Sequence, residues 1–238
     1  MRPGAMRTQR LDQLPVRMEQ HELLLDQGSV TYGVLIPKTP APAAGYPLIV
    51  ALHYGTTQEP GLSPYFGLGY VGQLVLPALQ NLNAVIIAPD APEASWAHPA
   101  SEAAVLAVVA DVRKRVAIAV RRTLVTGFSM GGSGAWFFAQ THPELFRAAI
   151  PMAAAPRAEG ADPSTATVAP VKMPVYVIHS RADRTVPLDR VERGVKALQA
   201  LGGNVTLALI DDVAHHMIPG FIDPLASAIP WVQQVWEP

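Results

Sequence analysis

Short apolar runs recur along this chain and alternate with segments whose apolar residues have helical spacing. Residues 47–53, 84–88 and 175–178 are three such runs. Runs of this length and composition are typical of strands that are buried on both faces of a sheet. Residues 102–116 and 191–201, which lie between runs of this kind, have the pattern of helices. The alternation predicts an α/β fold with a mostly parallel central sheet and helices on both faces.

The amino-terminal part of the chain predicts an antiparallel hairpin at one edge of that sheet. Residues 23–25 and 30–36 are apolar, and Asp26-Gln27-Gly28 separates them as a turn. Residues 1–18 are polar and basic and lack the apolar stretch of a secretory signal. We therefore expect a flexible segment over residues 1–18, one folded domain over residues 19–238, and a cytoplasmic location.

The composition excludes several classes of function. The 238 residues include 18 basic and 19 acidic side chains, so the formal net charge is −1. This balance predicts neither nucleic acid nor a membrane surface as a partner, and it leaves the oligomeric state open. The sequence has no cysteine, which excludes disulfides and thiolate nucleophiles. Residues 61–89 carry no charge, but their prolines and amides favour buried structure over a membrane span.

The segment Gly127-Phe128-Ser129-Met130-Gly131 has the pattern G-x-S-x-G. It follows the strand-like run 123–126 and precedes the helix-like run 135–140. This is the setting in which a serine is held on a tight turn at the carboxyl end of a strand, as a nucleophile. The alternative is a glycine-rich turn that merely begins a helix.

A serine hydroxyl needs a neighbouring base, and the base needs a group that orients it. His215 and His216 follow the last predicted strand, and we expect His215 to be the base. Asp183 follows the run 175–178 and is the expected orienting acid, because the carboxyl ends of parallel strands converge. The weaker alternatives for the acid are Asp189, Asp211 and Asp212. The chain order of serine, aspartate and histidine is the order of α/β-hydrolases.

Two backbone N–H groups are expected to bind the oxyanion that forms when the serine attacks a carbonyl. One belongs to Met130, the residue after the nucleophile. The other comes from the loop after the run 47–53, where we assign it to Tyr54 with Gly55 as the alternative. His53 is expected to brace this loop, not to act as a second base.

Together these residues make the chain resemble an α/β-hydrolase. Within that superfamily it is similar to the small bacterial esterases of the phospholipase/carboxylesterase and polyhydroxybutyrate-depolymerase-like group, which includes feruloyl-esterase-like members. The similarity spans roughly residues 24–236 and rests on the hairpin, the loop after residue 53, Ala88-Pro89-Asp90, the serine turn and the Asp183 and His215 loops. It implies a serine carboxylesterase that uses no cofactor and no metal.

The spacing between strands also bears on the substrate. Only about 20 residues, 153–173, separate two predicted strands at the point where many α/β-hydrolases insert a lid domain. We expect a loop with at most one helical turn there, and hence an open site for small-molecule esters with short acyl or aryl groups. Four residues are expected to line it: Trp96, Phe128, His216 and Met217. An acyltransferase or a serine peptidase with the same three residues, and a catalytically silent ligand-binding protein, are the rival interpretations.

Overall fold

The computed structural model describes residues 14–26, 28–55, 66–156, 158–159 and 167–237. Within them an eight-stranded sheet has the strand order β1-β2-β4-β3-β5-β6-β9-β10. The strands are β1 (Val16–Leu25), β2 (Gly28–Pro37), β3 (Tyr46–Leu52), β4 (Val85–Pro89), β5 (Ile118–Phe128), β6 (Ala148–Met152), β9 (Val175–Ser180) and β10 (Val205–Ile210). A separate two-stranded sheet pairs β7 (Ala158–Glu159) with β8 (Thr167–Val168).

The pairing of the strands confirms the predicted α/β architecture. β1 and β2 form an antiparallel hairpin in which Val16 pairs with Pro37 and Leu25 with Gly28. β2 is antiparallel to β4, and every pairing from β4 across to β10 is parallel. The central strand β3 is buried along its whole length, as expected of a strand covered on both faces. β1 begins at Val16, so the last three residues of the segment predicted to be flexible lie in a strand; residues 1–13 lie outside the described part.

Helices cover both faces of the sheet. They are α1 (Phe66–Tyr70), α2 (Leu76–Leu79), α3 (Pro99–Arg115), α4 (Met130–Thr141), α5 (Leu188–Ala200), α6 (Ile222–Ser227) and α7 (Ile229–Trp236). Apolar side chains of α3, α4 and α5 form one buried cluster with one face of the sheet. Those of α1, α2, α6 and α7 form a second cluster on the opposite face. Each face of the sheet therefore has its own core, and the loops at the strand ends are left to build a site.

A π-helical segment, Val71–Val75, joins α1 to α2. The Leu76 N–H donates to the carbonyl of Val71, five residues earlier. Pro77 follows at once, and a proline lacks the N–H of a regular helical turn and crowds the carbonyl four residues before it. The wider turn thus lets one continuous helical path pass through Pro77.

The connection between β6 and β9 is short. Its described residues contain the two-residue strands β7 and β8, which pair in antiparallel fashion, and no helical turn. No lid is evident among these described residues, in agreement with the prediction. Across the described ranges, no helix combines the length and the apolar character that a membrane crossing requires.

Candidate active site

Ser129 lies on a strained turn between β5 and α4. Its φ of 55° and ψ of −112° are unfavourable for a residue with a side chain, and its N–H donates to the carbonyl of Met152 over 3.0 Å. A Cβ on Gly131 would lie 1.8 Å from the carbonyl oxygen of Leu52, so only glycine lets α4 approach β3 this closely. The strain and this close approach fix the serine at the carboxyl end of the sheet, as the sequence motif predicts.

The structure brings the three predicted reactive side chains together in one series of hydrogen bonds. His215 Nε2 lies 2.9 Å from Ser129 Oγ, and His215 Nδ1 lies 2.7 Å from Asp183 Oδ2. Because a carboxylate only accepts, the proton of the neutral imidazole sits on Nδ1 and leaves Nε2 as an acceptor. The serine hydroxyl therefore donates to His215.

Asp183 is held in place by its own loop. Its side chain is fully buried, and its second oxygen, Oδ1, accepts the N–H groups of Thr185 and Val186, each over 2.8 Å. The loop thus holds the carboxylate in its orientation independently of His215. The three alternative aspartates are elsewhere: Asp189 pairs with Arg193, Asp211 pairs with Arg181, and Asp212 is exposed.

His179 is a further buried histidine beside this loop, and the sequence interpretation missed its role. It is the fifth residue of β9 and is fully buried, and its Nε2–H donates to the carbonyl of Val186 over 3.0 Å. Burial lowers the pKa of His179, although the charge of Asp183 opposes this shift. A neutral His179 therefore supports the same loop residue whose N–H is bonded to Asp183. The position of a histidine at a strand end is the only sequence signal for this role.

His53 braces the loop after β3, as expected. Its Nδ1–H donates to the carbonyl of Tyr54 over 2.8 Å, and its Nε2 accepts the N–H of Ala91 over 3.0 Å. Burial lowers the pKa of His53 to about 4, so the ring is neutral at neutral pH. The indole of Trp96 donates to the carbonyl of His53 over 3.0 Å.

These bonds orient the peptide groups of the loop after β3. In a trans peptide the carbonyl and the following N–H point in opposite directions. The bonded carbonyls of His53 and Tyr54 therefore turn the N–H groups of Tyr54 and Gly55 the other way. A Cβ on Gly55 would lie 3.7 Å from Met130 Cβ, so this loop lies directly beside the first residue of α4. The N–H of Met130 belongs to the first helical turn, where backbone donors have no partner within the helix.

Asp90 lies next to Ala91 at the carboxyl end of β4. Its Oδ1 accepts the N–H of Gly67 over 2.8 Å. Burial raises the pKa of Asp90 to about 6, and the hydrogen bond from Gly67 opposes this shift. The loop after β4 therefore contains a carboxyl group that changes charge close to neutral pH.

The four residues expected to line the site occupy different environments. Trp96 and Phe128 are almost fully buried, at 1% and 2% exposure, and the ring of Phe128 lies 5.3 Å from that of His215. Phe128 thus belongs to the packing beneath the histidine, and Trp96 shows only one edge to a cavity. His216 and Met217 are exposed beside His215.

Two cavities flank the serine turn. One, of about 610 Å³, includes Trp96, Met130 and Ser133 in its wall. The other, of about 450 Å³, includes His215 and His216. One cavity thus adjoins Met130, the residue after the serine, and the other adjoins His215. Among the described residues no group of three histidine, aspartate or glutamate side chains is placed to hold a metal ion.

The sheet order, the serine on a tight turn after β5 and the histidine after the last strand define an α/β-hydrolase. The sequence profile of the phospholipase/carboxylesterase family matches residues 86–231, which is more than half of the chain. The chain belongs to this family.

Solved structures with the same fold include several hydrolases. A thermostable esterase is 28% identical, with 92% of this chain covered and a TM-score of 0.63; this chain spans 60% of that protein's length. A ferulic acid esterase is 16% identical, covers 93% of this chain and 99% of its own, and has a TM-score of 0.69. The fluorophosphonate-binding serine hydrolase F of Staphylococcus aureus is 12% identical and has a TM-score of 0.70. The match covers 94% of this chain and 100% of that protein. A search of curated protein sequences found no match.

Proposed function

We propose that this protein is a serine carboxylesterase that hydrolyses short-acyl or aryl esters through an acyl-enzyme intermediate. The observation that carries the proposal is the unbroken series of hydrogen bonds from Ser129 through His215 to Asp183, over 2.9 and 2.7 Å. A serine with a base at hydrogen-bond distance, and a base oriented by a third group, is the arrangement that nucleophilic acyl transfer requires. The family to which the chain belongs supports the same chemistry.

In the proposed acylation step, Ser129 Oγ attacks the ester carbonyl carbon while His215 Nε2 takes the hydroxyl proton. Asp183 stabilises the imidazolium that forms and keeps its Nδ1–H in place. The N–H groups of Met130 and Tyr54 donate to the oxyanion, and each such donor typically lowers the barrier by about 2.7–4 kcal/mol. His215 then gives its proton to the alkoxide oxygen as the C–O bond breaks, and the alcohol leaves.

Deacylation repeats these steps with water. His215 removes a proton from the water as its oxygen attacks the acyl carbon of the Ser129 ester. The second tetrahedral intermediate uses the same two N–H groups, and its collapse releases the carboxylic acid and restores the serine hydroxyl. No cofactor or metal enters the proposed cycle.

The preference for short or aryl esters rests on the short connection between β6 and β9. Its described residues form a small hairpin, whereas a long-chain lipase covers its site with an inserted lid. The cavities beside the serine turn are open to the surface and suit a compact acyl or aryl group.

The proposal is tested by the hydrolysis of p-nitrophenyl acetate, butyrate and octanoate by the wild type and Ser129→Ala. Ser227→Ala is the matched control, because Ser227 lies on α6 and its hydroxyl donates to its own helix at Asp223. We expect turnover that falls with acyl length, loss of at least about 10³-fold activity in Ser129→Ala, and wild-type rates in the control. A fluorophosphonate probe should add one label to the wild type and none to Ser129→Ala, by intact mass.

Two outcomes would contradict the proposal. A folded wild type that neither hydrolyses the esters nor reacts with the probe would leave a ligand-binding protein. Labelling of Ser129 with preferential transfer of the acyl group to added methanol, or with faster cleavage of a matched p-nitroanilide, would instead indicate an acyltransferase or a peptidase.

A further inference from the structure

The 610 Å³ cavity beside Met130 has a consistent chemical character. Its polar side chains come from three separate segments: the loop after β4 (Ser95 and His98), the first turns of α4 (Ser133) and the amino-terminal turn of α5 (Arg190). We name this cavity the donor pocket. Met130, whose N–H is the proposed oxyanion donor, forms its inner wall, so a group bound there lies next to the reacting carbonyl.

The polar groups of the donor pocket are set up to donate. His98 Nδ1 accepts the N–H of Ala100 over 3.3 Å, which leaves the proton of the neutral ring on Nε2. Ser95 Oγ accepts the N–H of Ala97 over 3.2 Å, so its hydroxyl hydrogen is available to a ligand. Arg190 is a permanent cation with five N–H donors. Among the described residues that line the pocket, none carries a carboxylate.

The geometry of α5 directs Arg190 toward the pocket. Gly194 lies one turn further along α5, and a Cβ there would be 2.9 Å from the ring of Pro156, a residue of the pocket wall. Residues four apart share a helix face, and long helical side chains lean toward the amino terminus. This packing is consistent with the position of Arg190, which lines the pocket together with Pro156. Within the described part of the chain no carboxylate pairs with it, since neighbouring Asp189 pairs with Arg193.

The second cavity does not share this character. It also contains an arginine, Arg184, but Asp212 lies in the same wall. The opposite charges of Arg184 and Asp212 offset each other, so this cavity favours neither an anionic nor a cationic ligand. The donor pocket is thus the side of the site at which a negative charge would be favoured.

We propose that the donor pocket is a subsite for a second, anionic oxygen group of the substrate, bound by Arg190, and that the enzyme prefers esters which carry a carboxylate. This inference rests on the proposed esterase function and names the substrate class for it. The guanidinium binds the carboxylate in the forked geometry that arginine favours, while His98 and the two serine hydroxyls donate to its remaining lone pairs. The ester carbonyl of the same molecule reaches Ser129.

The test compares charged and neutral esters of matched size. On the acyl side, mono-p-nitrophenyl glutarate is compared with p-nitrophenyl pentanoate; on the alcohol side, 4-acetoxybenzoate is compared with 4-acetoxybenzamide. We expect a higher kcat/KM for the charged member of at least one pair. Arg190→Gln should reduce that value about tenfold, which corresponds to one charge-assisted hydrogen bond. Its rate on the neutral esters should stay within about twofold.

Two further variants separate recognition from a general charge effect. Lys196→Gln removes an equal charge from the same helix, but Lys196 is exposed and does not line the pocket; its selectivity should remain that of the wild type. Arg190→Lys should recover part of the preference. Salt at 0.5 M should reduce the preference of the wild type for charged esters, because Arg190 is exposed and its charge is screened. The same salt should not change the ratio in Arg190→Gln.

A ratio of charged to neutral kcat/KM that is the same in the wild type, Arg190→Gln and Lys196→Gln would overturn the subsite while leaving the esterase proposal intact. Binding without turnover gives an independent measurement. In an NMR titration of Ser129→Ala with monomethyl glutarate, the amide of Ser133 should shift, and the added change Arg190→Gln should remove the shift. If the wild type hydrolyses no ester, this titration still decides whether the pocket binds a carboxylate. The absence of a chemical-shift change at Ser133 would refute the subsite.

Discussion

Asp183→Asn is expected to inactivate the enzyme because the loop decides which way the amide faces. The backbone N–H groups of Thr185 and Val186 both donate to Asp183 Oδ1 over 2.8 Å. An asparagine satisfies them only with its amide oxygen, which turns the NH₂ group toward His215 Nδ1. The ring must then accept at Nδ1 and carry its proton on Nε2, where it can no longer take a proton from Ser129.

The structure also gives the size of the effect. Turning the amide to restore the active tautomer leaves two buried N–H donors without an acceptor, at about 1–3 kcal/mol each. At 1.36 kcal/mol per factor of ten, a cost of about 2–6 kcal/mol lowers the competent population by about 30-fold to 10⁴-fold. We therefore expect kcat for p-nitrophenyl butyrate to fall within this range, with KM nearly unchanged.

The assay needs a control for folding and one for charge. Thermal unfolding by circular dichroism should show that Asp183→Asn is folded at the assay temperature. Asp211→Asn removes a carboxylate that pairs with Arg181 at the surface near β10, and it should keep wild-type kcat. A folded Asp183→Asn with kcat within threefold of the wild type would refute the tautomer argument.

Three further predictions concern stability. His53 should lower the stability of the wild type to urea by about 2 kcal/mol between pH 7 and pH 5, a loss that Asp90 partly offsets, and His53→Gln should lack this contribution. Asp90→Asn should melt at a higher temperature than the wild type at pH 8 but not at pH 4, with a gain of about 1 kcal/mol. Gly131→Ala should cost more than about 3 kcal/mol or fail to fold, because the new Cβ meets the Leu52 carbonyl. Gly69→Ala, where a Cβ meets no atom within 4 Å, should be neutral or stabilising.

The two pH effects have opposite signs. The pKa of His53 is lowered from 6.5 to about 4 on folding, so between these values the unfolded chain binds more protons and stability falls as the pH falls. The pKa of Asp90 is raised from 3.8 to about 6, so the folded chain binds more protons and this contribution is lost as the pH rises through 6. A change in stability between pH 7 and pH 5 that is the same in the wild type and in His53→Gln would contradict the first assignment. Equal melting temperatures of Asp90→Asn and the wild type at pH 8 would contradict the second.

The sheet and the reactive residues were predictable because each has a local signal in the chain. Buried strands such as β4, which overlaps the predicted run 84–88, are continuous apolar runs, and Ser129 lies in a motif whose glycines are needed for close packing. Asp183 and His215 follow strands, and parallel strands bring their carboxyl ends together.

What the sequence does not reveal depends on contacts between distant segments. The burial of Trp96 follows from its bond to the His53 carbonyl, and the role of His179 follows from its bond to Val186. The π-helical turn before Pro77 is chosen by packing, since a kink would satisfy the local chemistry equally well. Arg190 reaches the donor pocket only because Gly194 lets α5 lie against Pro156, and neither residue has a chemical signature in sequence.

The chain order of the three hydrogen-bonded residues means that the site is complete only when the last strand of the sheet has paired. Ser129 and His215 are 86 positions apart, and His215 is held beside the serine only after β10 has paired with β9. A chain in which β10 had not yet paired with β9 would lack the base beside the serine. During refolding, the recovery of ester hydrolysis should therefore trail the recovery of helical signal. The delay between the two measures how long the final strand takes to dock.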